Sequence, residues 1–232
     1  MMKSMRKAGL IWLFATAQFI IAMAITQMAY GCANYGGCYN LLSNPISNLG
    51  SSGIQNGNPP YFTYQGSRIS WPSSPLWFIF NFSLALFGLL LVCGMFLAEE
   101  LFRKGAWHSV WSILFAAAGI GAMGVGLFPE DLLLSLHGVS ALIAFVCSGA
   151  SLVAASMAMR KDRRWSGGWQ KYTMLSGLAS LAFAVILMLP DFGVIQRWPV
   201  IGDGLGFGGL ERLIILPVIL WIIAISVRMA TE

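Results

Sequence analysis

Residues 124–138, Gly-Val-Gly-Leu-Phe-Pro-Glu-Asp-Leu-Leu-Leu-Ser-Leu-His-Gly, decide how this chain is read. An apolar run reaches Phe128, Pro129 stops it, Glu130 and Asp131 mark a turn, and a second apolar run opens at Leu132 with His137 inside it. Proline cannot continue a helix, and it pushes the residue before it out of the helical region. The two runs, 107–128 and 132–158, therefore read as two helices joined by an acidic hairpin. Each is long enough to cross a hydrocarbon core of about 30 Å.

The totals agree with that reading. Of 232 residues, 57% are hydrophobic and 10% charged, with a mean hydropathy of +0.73. A soluble domain carries about 25% charged residues. The composition predicts an all-α, polytopic membrane protein made of a six-helix bundle in a single domain. Working outward from the central hairpin, the apolar runs place helices near 10–30, 76–98, 107–128, 132–158, 172–189 and 205–227. The first run follows Lys3, Arg6 and Lys7, as in a signal peptide, but its 21 residues exceed the 7 to 15 or so of a signal's apolar core. Residues 31–74 are rich in Gly, Asn, Ser and Pro and read as a long loop of turns with one short helix near 39–49.

Six crossings put both termini on one side. The N-terminus, the loops near 99–104 and 160–171, and the C-terminus hold 11 of the 14 basic residues, and only Arg68, Arg197 and Arg212 fall on the other side. The positive-inside rule then predicts a cell-membrane protein with both termini cytoplasmic and residues 31–74 facing outward. Basic residues scattered over short loops form no continuous face, so the net charge of +5 does not point to nucleic acid.

Chemistry concentrates on the opposite side, where Glu130, Asp131, Asp191, Asp203 and Glu211 account for five of the nine acids. Ionisable groups at membrane depth are rare and mark candidate sites. His137 with Glu130 or Asp131 is a candidate for proton transfer, the imidazole being a base, a metal ligand, or a group hydrogen-bonded to one of those acids. Asn81, early in the second helix, is either a ligand contact or an interhelical hydrogen bond. Glu211 and Arg212 are adjacent and point about 100° apart on a helix. Arg212 is expected to be the inward one, either clamping an anionic head group through its fork of donors or pairing with Asp131, Asp191 or Glu130. The small and polar stripes 137, 140, 144, 148, 151, 155 and 173, 176, 177, 180, 184, and the glycines at 119, 121, 124 and 126, read as helix-packing faces.

Cys32 and Cys38, in the outward loop, are placed to form a short-loop disulfide. Cys93 and Cys147 read as small core residues. No close Cys or His pair suggests zinc, and no metal site is expected. His108 and His137 fall at opposite ends of their helices, so they cannot hold one haem within the chain, though a haem shared with another subunit stays open. No other cofactor is indicated, and no phosphate loop, nucleophile elbow or catalytic triad spacing is present.

Three segments carry a resemblance: Asn44-Pro45-Ile46-Ser47-Asn48-Leu49-Gly50, the stretch 124–137, and Gly206-Phe207-Gly208-Gly209-Leu210-Glu211-Arg212 followed by Pro217 and Trp221. Together they resemble the six-helix prokaryotic membrane family catalogued as domain of unknown function 998, which implies a six-helix bundle and brings no activity. The Ser-Asn-Leu-Gly segment and a histidine entering the fourth helix also resemble the eukaryotic family of GPI-anchor-remodelling and autophagy-linked membrane proteins. That family carries aspartate where this chain has Asn48, so one potential acid is missing.

The expectation is a polar mouth at the acidic end that binds a lipid or isoprenoid head group. Its candidate ligand residues are Asn44, Ser47, Asn48, Asn81, Asp191, Glu211 and Arg212. The alternative is a non-catalytic subunit packed against other membrane subunits through the small-residue stripes. Whether any reaction is catalysed is not readable from these residues.

Overall fold

The computed structural model describes residues 2–30, 39–53, 61–64, 67–70, 73–160, 162–189 and 206–231. Among these residues six α-helices form: α1 (Met2–Tyr30), α2 (Trp77–Leu97), α3 (Ala106–Leu127), α4 (Leu134–Met159), α5 (Gly167–Met188) and α6 (Phe207–Thr231). They are 21 to 29 residues long, and all six are apolar enough to span a membrane. At about 1.5 Å per residue the shortest reaches roughly 30 Å. The chain is an all-α, multi-pass membrane protein.

Each helix packs against its neighbours in sequence, and α6 closes the ring against α1. The partners run antiparallel throughout. Ser4 at the start of α1 donates to the Leu97 carbonyl at the end of α2, Gly9 abuts Ser226 and Met229, and Trp221 Nε1 donates to Thr173 Oγ1 at 2.9 Å. Both termini therefore lie at one end, called here the terminal end. The connections after α1, α3 and α5 lie at the other, the acidic end.

Close backbone approach is what lets these helices meet, and glycine provides it. A Cβ on Gly121 would sit 2.6 Å from Ala144 N and 2.8 Å from Ser140 O, and Gly149 and Gly177 face each other across α4 and α5. Thr173, Ser176, Gly177, Ser180 and Ala184 are all buried. The stripes read as packing faces are used as such inside the chain.

The core toward the terminal end is an aromatic plug. Trp12, Trp111, Phe115 and Trp221 are essentially inaccessible, and the Phe115 ring centroid lies 5.1 Å from that of Trp12, 5.7 Å from Trp111 and 6.4 Å from Trp221. Trp12 Nε1 donates to the Leu91 carbonyl at 3.0 Å, satisfying the buried indole.

Element boundaries shift from the expected ones for local reasons. α1 starts at Met2, before the apolar run, because Lys3, Arg6 and Lys7 are good helix formers whose stems extend the helix into water. α4 begins two residues late because Leu132 N and Leu133 N still bond the Pro129 carbonyl. α5 begins at Gly167, where Ser166 accepts from Trp169 N. The long connection after α1 holds a 3₁₀ turn, Ile46–Gly50, instead of a longer helix, and a short antiparallel hairpin of β1 (Tyr61–Tyr64) and β2 (Ser67–Ser70) that a reading as turns alone had not foreseen. Cys32, Cys38 and Asp191 lie outside the described residues.

Gly121→Leu is expected to lower the thermal midpoint of the detergent-purified protein, as overpacking costs about 1–3 kcal/mol. Gly138→Ala, at a helical site with open space around it, should leave the midpoint unchanged or raise it slightly. Tryptophan fluorescence melts of both variants check the contrast.

Candidate functional site

The acidic end is built around the 3₁₀ turn. Its N-cap is Pro45, which offers no capping side chain, so the first backbone N–H groups need acceptors from elsewhere. Glu211, in the first turn of α6, supplies them. Its Oε2 accepts from Ile46 N at 2.5 Å, and the carboxyl also bonds the Ser47 N–H. The next residue does the converse. Arg212 Nη1 donates to the carbonyls of Leu41, Asn44 and Gly208 at 2.6, 3.0 and 2.9 Å, and Nη2 donates to the Tyr39 hydroxyl at 2.7 Å. One acid and one base, side by side, hold the donors and the acceptors of residues 39–47. Gly209 N bonds the Leu42 carbonyl at 2.8 Å, and a Cβ at Gly208 would collide with the Asn44 carbonyl.

The α3–α4 turn grips the same segment from the other side. Glu130 bonds the Ser47 hydroxyl, and Asp131 Oδ2 accepts from Ser52 Oγ at 2.6 Å. Asn81 of α2 donates to the Gly50 carbonyl at 2.8 Å. Three separate stretches, 39–53, 128–133 and 206–212, thus meet at one place.

Burial decides the character of the acids. Glu130 is 6% exposed, and its Oε1 has no hydrogen-bond partner among the described residues. Removal from water, reinforced by nearby Glu211 and Asp131 and opposed by the Ser47 bond, pushes its carboxyl up to about 8. At neutral pH it is therefore largely protonated and can donate as well as accept.

His137 sits in the first turn of α4, buried, with Nδ1 2.7 Å from the Phe128 carbonyl. A carbonyl only accepts, so Nδ1 carries the proton and Nε2 is the acceptor in the neutral ring. Of the readings open to this imidazole, a hydrogen bond to Glu130 or Asp131 is not the one Nδ1 makes; its partner is the Phe128 carbonyl. His108 lies at the terminal end, where Nε2 meets the Glu99 carbonyl at 2.8 Å.

Behind the 3₁₀ turn lies a cavity of about 120 Å³. Its walls are apolar side chains of α1, α2, α3, α4 and α6, among them Phe19, Phe80, Phe87, Ala122, Ala144 and Ile219. The aromatic plug blocks the way toward the terminal end. Among the described residues only Ser47, His137, Ser148 and Glu211 bring polar groups to the lining, and Ile46 and Ser47 form part of the roof.

A family model described as protein of unknown function (DUF998) matches residues 15–228. The chain belongs to the DUF998 family. Neither the curated proteins nor the solved structures contain a match to it.

The structure thus brings most of the residues singled out in this DUF998 protein to one place, with a different division of labour. Glu211, not Arg212, turns inward, being 7% exposed. Arg212 is half-buried at the side, bound to carbonyls and to Tyr39 where an acid had been expected. Asn44 accepts from Asn40 N through its side chain and from Arg212 through its backbone, and Asn48 bonds through its backbone to Pro45 and Ser51. Tyr39 and Ser52 were not anticipated. Helical phase did not choose between them: Glu211 shares a buried stripe with Ile214, Val218, Trp221 and Ile225, and Arg212 shares one with Ile219, Ile222, Ser226 and Met229.

Two measurements test this arrangement. A carboxyl whose pKa rises on folding stabilises the native state at low pH, and that stability is lost as pH climbs from the unfolded value near 4.5 toward about 8. Thermal midpoints of the wild type should fall across that window, and Glu130→Gln should flatten the part of the slope due to this group. Separately, Arg212→Lys should cost about 1–3 kcal/mol, since one ammonium cannot replace a planar fork serving three carbonyls and a hydroxyl. Protease cleavage within 39–50 should accelerate with it, whereas Lys3→Arg at the other end should leave cleavage unaltered.

Proposed function

We propose that this DUF998 protein binds a membrane amphiphile, with part of the apolar chain in the central cavity and the polar head under the 3₁₀ turn. The observation that carries this reading is the cavity itself: an apolar space of about 120 Å³ inside the bundle, with its polar lining concentrated at one end. An apolar cavity of about 150 Å³ is enough to hold a benzene-sized group, so the space admits the end or first segment of a hydrocarbon or isoprenoid chain.

His137, Ser47 and Glu211 stand where the head group would lie, and Glu130, bonded to Ser47, stands behind them for proton exchange. The distribution of basic residues favours cytoplasmic termini in the cell membrane, which turns the roof of the cavity outward. For the alternative of a packed subunit, the small-residue stripes give no support, since they are spent inside the chain: Ser140 and Ala144 of α4 meet the glycines of α3, Gly177 of α5 meets Gly149 of α4, and Thr173 of α5 meets Trp221 of α6.

Replacing Ala141, which lines the cavity, with Phe fills the space without touching the polar groups. Native mass spectrometry of protein extracted in nanodiscs should show the bound amphiphile in the wild type and its loss in Ala141→Phe. Equal lipid profiles for the two would refute the reading.

A further inference from the structure

The charge and hydrogen-bonding inventory at the mouth narrows the head group, and this step rests on the binding proposed above. A phosphate or carboxylate head needs a free cation or several free donors to replace its water. Among residues whose side chains are described, Arg212 is the single basic residue at the acidic end, and it is already committed. Its Nη1 serves three carbonyls and its Nη2 the Tyr39 hydroxyl. The backbone N–H groups of Ile46 and Ser47, the other natural anion cradle, are held by Glu211. The donors an anion would use are taken.

What remains accepts. His137 Nε2 carries a lone pair once Nδ1 has donated to Phe128. Glu211 lines the cavity with carboxyl oxygens, and Glu130, bonded to Ser47, has a buried Oε1 with no partner among the described residues. An anionic head would lie against the Glu211 carboxyl, which lines the cavity, at low dielectric, where like charges repel strongly. A head bearing O–H or N–H groups meets acceptors instead.

We infer that the cavity mouth selects amphiphiles with an uncharged hydroxyl or a protonated amine as head group and rejects phosphate heads of the same chain length. Ser47 and Glu130 serve as well, since a hydroxyl and a carboxylic acid can each take or give a hydrogen bond to such a group. Discrimination comes from the unpaired acceptors and the acids together: the right head satisfies them, and the wrong one leaves them buried and opposed.

The test uses the full chain in nanodiscs and three chain-matched probes, dodecanol, dodecylamine and dodecyl phosphate, each titrated by native mass spectrometry with Ala141→Phe as the filled-cavity control. Dodecanol and dodecylamine should bind at least about tenfold more tightly than dodecyl phosphate, a difference of about 1.4 kcal/mol. Ala141→Phe should abolish both. Glu211→Gln, which keeps an oxygen for the Ile46 N–H, should reduce the amine's affinity more than the alcohol's. Phosphate binding as tight as the others, and lost in Ala141→Phe, would overturn the head-group inference and leave amphiphile binding standing. If no probe binds in a way that Ala141→Phe alters, both fall together. Because the probe comparison is made on the unaltered chain, it holds even where Glu211→Gln folds poorly.

Discussion

Everything at the acidic end depends on a carboxyl group capping a helix it does not belong to. The 3₁₀ turn begins after a proline that offers no side-chain acceptor, and an uncapped buried N–H costs about 1–3 kcal/mol. Glu211 removes that cost from 165 residues away. Because Glu211 sits on α6, the turn is fixed to the helix ring, and because Ile46 and Ser47 line the cavity, the ring gains a roof. Arg212 completes the joint by holding the carbonyls that lead into the turn. Two of the three sequence segments that resembled a known family, Asn44–Gly50 and Gly206–Arg212, are the two halves of this joint.

The rest of the architecture prepares that contact. Glycines on α3 alternate in direction, 119 and 126 toward α2, 121 and 124 toward α4, so α3 is drawn tightly to both neighbours. The α3–α4 turn then lies close enough for Glu130 and Asp131 to reach Ser47 and Ser52. At the terminal end the connections are tied differently, by charge in a polar setting. Arg164 pairs with Asp162 at 2.6 Å and reaches the Glu100 carbonyl, while Arg228 lies over the Trp165 ring at 4.3 Å. The Arg164 guanidinium holds the Asp162 carboxyl below its usual range. One end is held by an ion pair near water, the other by acids largely withdrawn from it.

Much of the fold was legible in the residues. Long apolar runs interrupted by Pro129 and by charged loops can only be crossing helices, and their number and order followed directly. The ends were less legible, since Lys3, Arg6 and Lys7 extend α1 beyond its apolar part and Leu132 and Leu133 spend two residues finishing a turn. At the site, the right segments could be named because acids are rare in such a chain. Roles were harder, because adjacency placed Glu211 and Arg212 100° apart without saying which faced the centre. Helical phase does not settle it either, because buried residues follow both of them along α6. The partner of His137, a backbone carbonyl, has no sequence signature at all.

The distance in sequence between Ile46 and Glu211 also orders events during biosynthesis. A membrane chain is made and threaded from its N-terminus, so the segment after α1 emerges long before its acceptor exists. Until α6 is inserted, that segment is held through the α3–α4 turn and Asn81, its Ile46 N–H has no acceptor, and α1 lacks its contact with α6. The arrival of α6, through a single glutamate, completes the joint over Ile46 and Ser47.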